Sequence, residues 1–200
     1  MIDSNFLLTL IMFYFVMYVT PGPNNSMVLA SGLKFGLLKT IPVISGITIG
    51  HIIQLILVCL GLGKIFQIYA ELQFILKILC AAYMVYLGFK IIGSFSKVEV
   101  DSSEPIKFHE AALFQIVNPK AWTISSMAAS SFIINEINLI FSIFVIALAA
   151  LIICPLSISP WAAFGSAIRQ FVKSYKLKIM IEYLLASLLL ISAILILLQD

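Results

Sequence analysis

The stretch Thr20-Pro21-Gly22-Pro23-Asn24-Asn25 interrupts an apolar run that starts near Phe6 and resumes through Ser26-Met27-Val28-Leu29-Ala30. Each proline removes an N–H donor and clashes with the preceding turn, and the glycine adds backbone freedom. Carbonyls near Val19 and Thr20 lose their helical partners. A second half-helix starting near Asn24 presents unpaired N–H groups and a positive dipole end. Freed carbonyls suit an ammonium, and a helix N-terminus suits a carboxylate. The chemistry on offer is the binding of a small zwitterion rather than bond-making. Asn118-Pro119-Lys120 repeats the break later in the chain and adds a lysine. Lys120 falls roughly 22 Å into its apolar run, too deep for easy snorkelling, and Lys77 is also near mid-depth. A lysine inside a bilayer costs on the order of 3 kcal/mol, so it faces a cavity or a partner. Lys120, Lys77 and the half-helix N-terminus are expected to hold a carboxylate, and the freed carbonyls an ammonium. The plainer alternative ends the first span at Val19, makes residues 20–39 a loop and lets Lys120 snorkel beside a kink. Against it, Asn25 to Phe35 carries only one charge, Lys34.

Composition places these breaks in a membrane. The chain has 200 residues, is 62% hydrophobic and 10% charged, and its mean hydropathy is +1.13. A soluble domain carries about 25% charged residues. The net charge of +3 is spread over loops and points to no nucleic acid. Cys59, Cys80 and Cys154 lie in apolar runs with no disulfide or metal-ligand spacing. No metal and no cofactor are expected. The N-terminus has no basic residue before its apolar run and no small-residue cleavage site, so the first span is expected to be retained.

The expected fold is an all-α membrane protein with six transmembrane helices in one domain. The spans run from about Asn5 to Leu33, Thr40 to Gly61, Gln67 to Ile92, Pro105 to Ile134, Asn138 to Pro160, and Lys178 to Leu198. Spans 1 and 4 are broken at Pro21–Pro23 and Asn118-Pro119. Pro42 sits in the first turn of span 2, where proline is tolerated, and Pro155 is expected to kink span 5. A polar loop, Gly93 to Glu104, divides the halves. Shifting the sequence by 98 residues lays Val19-Thr20-Pro21 over Val117-Asn118-Pro119. With three spans each, halves of about 1–98 and 99–200 would form an inverted repeat. Lys34, Lys39, Lys90, Lys97, Lys107, Arg169, Lys173, Lys176 and Lys178 fall on one side of the membrane and only Lys64 on the other. The basic side faces the cytoplasm, which puts both termini outside.

Gly32/Gly36 and Gly46/Gly50 are G-x-x-x-G pairs and read as close helix packing. Gln54 continues the second pair's face inward. His51 lies one position off that face; it can carry a proton or serve as a hydrogen-bonded structural residue. On span 3, Gln73, Lys77, Cys80, Ala81, Met84 and Gly88 form one small, partly polar face. Glu71, Glu110, Glu136 and Glu182 lie toward span ends, and no Asp lies within a span. A dibasic substrate would need a carboxylate partner in the membrane. A small neutral substrate is therefore expected, read by uncharged groups such as Asn25, Gln54, Ser125 and Ser126.

Together these residues resemble the LysE/RhtB family of bacterial amino-acid exporters over nearly the whole chain. Three signatures carry the resemblance. The first is Thr20-Pro21-Gly22-Pro23-Asn24 with Gly32, Gly36, Gly46 and Gly50. The second is Leu76-Lys77 with Ala81-Ala82-Tyr83 and Tyr86-Leu87-Gly88, and the third is Asn118-Pro119-Lys120-Ala121. Asn24-Asn25 and the length look most like the cysteine/O-acetylserine exporter subgroup. The resemblance implies six helices, the bacterial inner membrane, and efflux of amino acids or close derivatives by a proton-driven antiporter. The partners are then an amino-acid substrate and the lipid bilayer, with a homodimer admitted. A thiol–disulfide relay would need reactive cysteines beside the breaks, and none is near Pro21 or Pro119 in sequence. An intramembrane protease would need paired aspartates or a Ser–His pair; a metal exporter would need clustered carboxylates. A structural membrane subunit would leave the two breaks and deep lysines unexplained.

Overall fold

A computed structural model describes residues 3–62, 68, 70–92, 104–134, 138–171 and 174–198, and these are helical with no strand among them. The loop over 93–103, Lys64, Lys97, Lys173 and Glu136 lie outside the described residues, as does the expected start of span 3 at Gln67. The helices are α1 (Ser4–Val19), α2 (Pro23–Phe35), α3 (Leu37–Leu57), α4 (Ala70–Ile91), α5 (Phe108–Val117), α6 (Pro119–Phe132), α7 (Leu139–Phe171) and α8 (Tyr175–Leu198). A π-helical turn, Val58–Leu62, extends α3.

Both expected breaks are present. Asp3 caps α1 by accepting the Phe6 N–H at 2.8 Å. The helix stops at Val19, and α2 restarts at Pro23 at an angle of 59°. Pro23 and Pro119 each occupy the first turn of a new helix, where the missing N–H has no partner to lose. Among the described residues, three helices are long and apolar enough to cross a membrane, or four when the bent α1–α2 pair counts as one span.

Two expected boundaries move. Span 2 starts at Leu37, so Pro42 sits inside α3 rather than in its first turn. Span 5 continues to Phe171, eleven residues beyond Pro160. A helical proline removes one hydrogen bond locally; Pro155 and Pro160 leave the Leu151 and Leu156 carbonyls without their usual N–H donors. The apolar stretch past Pro160 stays helical because it packs on α2.

That packing is backbone against backbone. A Cβ on Gly32 would sit 2.3 Å from the Ala162 carbonyl oxygen, and one on Gly165 would sit 2.5 Å from that of Leu29. The same device joins α3 to α5: Cβ atoms on Gly46 and Gly50 would meet the Phe108 and Ala112 oxygens at 2.2 and 2.5 Å. Gly36 serves differently. Its φ of +85° is left-handed, which suits glycine, and it turns the chain from α2 straight into α3. The first broken helix thus lies on α7, the second on α3, and α4 lies on α8. Large apolar side chains such as Leu156, Phe164, Leu184 and Ile194 remain exposed on α7 and α8. This is the surface of a membrane protein, where lipid is the solvent.

Candidate functional site

The α1–α2 break raises an accounting question: where do its orphaned carbonyls go? Pro21 deprives the Met17 carbonyl of its partner, and the Thr20 hydroxyl donates to it at 3.0 Å. Pro23 deprives Val19, whose oxygen accepts from the Trp161 indole N–H and the Asn25 amide, each at 3.3 Å. The same Asn25 Nδ2 donates to the Tyr18 and Thr20 carbonyls at 2.9 and 2.7 Å. Lys120 reaches in from the other break. Its Nζ donates to the Thr20 carbonyl at 2.7 Å, the Thr20 hydroxyl at 2.8 Å and the Pro21 carbonyl at 3.2 Å. Every carbonyl from Met17 to Pro21 is held by a side chain in this conformation.

The N-terminus of α2 differs, because no side chain caps Gly22. At the second break, Asn118 caps α6 by accepting the Lys120 N–H at 3.2 Å. A cluster of amides ties the breaks together. Asn24 and Gln115 exchange two hydrogen bonds at 2.9 and 3.0 Å. Asn118 donates to Asn24 at 3.0 Å. Gln54 donates from α3 to the Gln115 carbonyl at 3.0 Å.

Gly22, Asn24, Asn25, Asn118 and Lys120 line a cavity of about 20 Å³, together with Tyr18, His51 and Cys154. That volume holds about one water. His51 is 2% exposed, its ring edge-on to Tyr18, and both its Nε2 and the Tyr18 hydroxyl lack a hydrogen-bond partner. No carboxylate lines the cavity. A second, apolar cavity of about 160 Å³ lies on the other side of Asn25, against Pro21, Trp161 and Leu189.

Of the residues expected at the site, Gly22, Asn24, Asn25, Asn118 and Lys120 line the cavity, whereas Thr20, Pro21, Pro23, Gln54 and Pro119 lie at or bond to the broken helices without lining it. Ser125 is fully buried on α6, its hydroxyl without a partner, but does not line the cavity. Ser126 is exposed. Lys77 is half-buried on α4 and does not line it either. Sequence reasoning missed Gln115 and Trp161. Gln115 carried a signal: it is a lone amide in an apolar run, three residues before Asn118 and so on the same helix face. Cys154 also corrects an expectation, since folding places a cysteine at the breaks. It accepts from Thr48 at 3.7 Å. A relay would need a second thiol beside it, and no other cysteine lines the cavity.

A cysteine/O-acetylserine efflux protein of Klebsiella pneumoniae is 31% identical over 117 residues, covering 58% of this chain and 59% of that protein. The chain therefore matches less than two thirds of that relative's length. A cysteine/O-acetylserine efflux protein of Escherichia coli K12 is 27% identical over 158 residues, covering 78% of this chain and 80% of its own. No solved structure matches the chain significantly. The profile of the LysE type translocators matches residues 15–200, and the chain, with its two broken helices joined around a small cavity, belongs to that family.

Proposed function

We propose that this protein exports small neutral amino acids or their derivatives from the cytoplasm across the bacterial inner membrane, coupled to the proton gradient. The joined breaks around a cavity that Asn24, Asn25, His51, Asn118 and Lys120 line beside apolar side chains, with no carboxylate among the described lining residues, are the observation that carries this reading. The substrate carboxylate docks at the uncapped N-terminus of α2, on Gly22, Asn24 and Asn25. Its ammonium takes the acceptors of the α1–α2 break. Its side chain extends toward Tyr18, His51 and Cys154. The efflux relatives support export, and the lack of a carboxylate supports a neutral substrate over a dibasic one.

The proposed architecture is six crossings in two inverted halves: α1–α2, α3 and α4, then α5–α6, α7 and α8. The pairing of each broken helix with the second span of the other half supports it. The bias of basic residues supports termini on the outer side. Alternating access then proceeds by one half rocking against the other around the breaks. Labelled cysteine, O-acetylserine, homoserine, threonine, lysine and arginine, offered to inverted vesicles with and without a pH gradient, test the reading. Gradient-dependent uptake of the neutral compounds is expected. Uptake of lysine and arginine alone would overturn the substrate class, and uptake indifferent to the gradient would overturn the coupling.

A further inference from the structure

We propose that the Thr20–Pro21 acceptors form a dedicated site for a primary ammonium, and that Lys120 is its tethered occupant when no substrate is bound. The inference rests on the amino-acid export reading and adds what the empty carrier does.

The coordination is that of a complete ammonium site. A lysine ammonium has three N–H donors and no acceptor, and Lys120 Nζ meets three oxygens: Thr20 O at 2.7 Å, Thr20 Oγ1 at 2.8 Å and Pro21 O at 3.2 Å. The α-ammonium of an amino acid also carries three N–H donors. It would find the same three oxygens and needs no others.

The path of the side chain is built for it. The Lys120 stem crosses Gly22, where a Cβ would lie 2.9 Å from Cδ and 3.2 Å from Nζ. The φ of Gly22 is 174°, extended backbone open to any residue. Its lack of a side chain therefore matters for space rather than for conformation. While Lys120 lies there, the cavity is about 20 Å³ and admits no amino acid. Withdrawal of the side chain frees the acceptors and the volume in one motion.

An independent sign of an absent ligand lies in the same cavity: His51, 2% exposed, lines it with Nε2 unpartnered. Buried polar groups are ordinarily hydrogen-bonded, and Nε2 is a polar atom on the wall that a substrate would meet.

The consequence concerns the transport cycle. In the loaded carrier the substrate fills the ammonium site, and in the empty carrier Lys120 does. The site stays occupied in both, so both forms can close and reorient. Without Lys120 the loaded carrier still reorients, while the empty one must close with the Pro21 carbonyl and the Thr20 hydroxyl oxygen without their donor, the Thr20 carbonyl keeping Asn25. Exchange of substrate for substrate needs only the loaded form; net efflux needs the empty form to return.

Wild type and Lys120→Met are reconstituted into liposomes. Labelled cysteine, O-acetylserine, homoserine and threonine are followed as net efflux into substrate-free buffer, and as exchange against the same unlabelled compound. Lys120→Met is expected to keep exchange within about threefold of wild type and to lose net efflux at least tenfold. Propylammonium in the buffer is expected to restore part of that net efflux. Should Lys120→Met fail to fold, Lys120→Ala, which removes the same ammonium and keeps a strong helix former, takes its place with the same expected split. Equal loss of both modes, or loss of neither, overturns the inference and leaves the export reading standing. A wild type that moves none of the four compounds overturns the export reading and this inference with it.

Discussion

Asn25 is 3% exposed, and its Nδ2 holds the Tyr18, Val19 and Thr20 carbonyls at 2.9, 3.3 and 2.7 Å. Truncation in Asn25→Ala does not orphan all three. Thr20 keeps Lys120 at 2.7 Å, and Val19 keeps Trp161 at 3.3 Å. Tyr18 is left alone, and an unpaired buried carbonyl costs about 1–3 kcal/mol. Weakened bonds at the other two bring the expected loss to about 2–3 kcal/mol. For a chain of this length that lowers the melting temperature by roughly 4–12 °C. Asn25→Asp preserves the shape and should nevertheless fare worse. An ionised carboxylate only accepts, so its oxygen would face three carbonyl oxygens. Protonated, it offers one hydrogen where the amide offers two. Thermal unfolding of detergent-solubilised protein, followed by size-exclusion of the soluble fraction, reads the order wild type, Ala, Asp. An Asp variant as stable as wild type, or more stable than Ala, would refute the assignment of Asn25 as donor to the broken backbone.

Three further outcomes follow from the packing and the site. Gly32→Ala forces α2 away from the Ala162 carbonyl, 2.3 Å from the new Cβ, and should cost about 1–3 kcal/mol. Gly88→Ala, with its nearest neighbour at 3.6 Å, should leave melting unchanged; equal melting of the two variants would contradict the close approach of α2 and α7. Overexpression should raise tolerance to toxic neutral amino-acid analogues and leave sensitivity to canavanine unchanged, and protection against canavanine alone would contradict a neutral substrate. A reporter fused after Asp200 should behave as an extracytoplasmic fusion, and cytoplasmic reporter activity would reverse the proposed orientation.

The breaks were legible because proline acts on its own backbone. It removes a donor whatever surrounds it, so Pro21, Pro23 and Pro119 mark interruptions without knowledge of the fold. The position of Lys120, midway along the α5–α6 pair, was legible from counting residues. The fate of the freed carbonyls was not. Sequence shows that Met17 and Val19 lose partners, but only packing reveals that Thr20, Asn25, Trp161 and Lys120 take up the acceptors of the break. Lys77 makes the same point from the other side. Depth along a helix follows from counting, whereas the direction a residue faces depends on how neighbouring helices sit, and Lys77 misses the cavity. Pro160 misled for a related reason. A proline's local penalty can be outweighed by tertiary packing, and Gly165 against the Leu29 carbonyl supplies that packing.

The proposed inverted repeat gives the contact between the breaks a further meaning. The offset of 98 residues that lays Thr20-Pro21 on Asn118-Pro119 also lays Gly22 on Lys120. These two equivalent positions are the ones in contact, since a Cβ on Gly22 would touch the Lys120 stem at 2.9 Å. Equivalent residues of an inverted pair meet only near the axis relating the halves. Two identical breaks there would present the same polarity twice and suit no zwitterion. In the proposed arrangement the halves have diverged at the axis. The first break spans Thr20 to Gly22 and offers acceptors; the second is narrowed to Asn118, capped by its own side chain, and offers a cation. Glycine in one half is what gives lysine from the other a place to lie. A substitution that restored symmetry, whether a side chain at Gly22 or its removal at Lys120, would therefore disable the same element from opposite sides. Gly22→Ala and Lys120→Met should then impair net efflux alike, and their combination should be little worse than either alone, because residues that act as a unit are not additive.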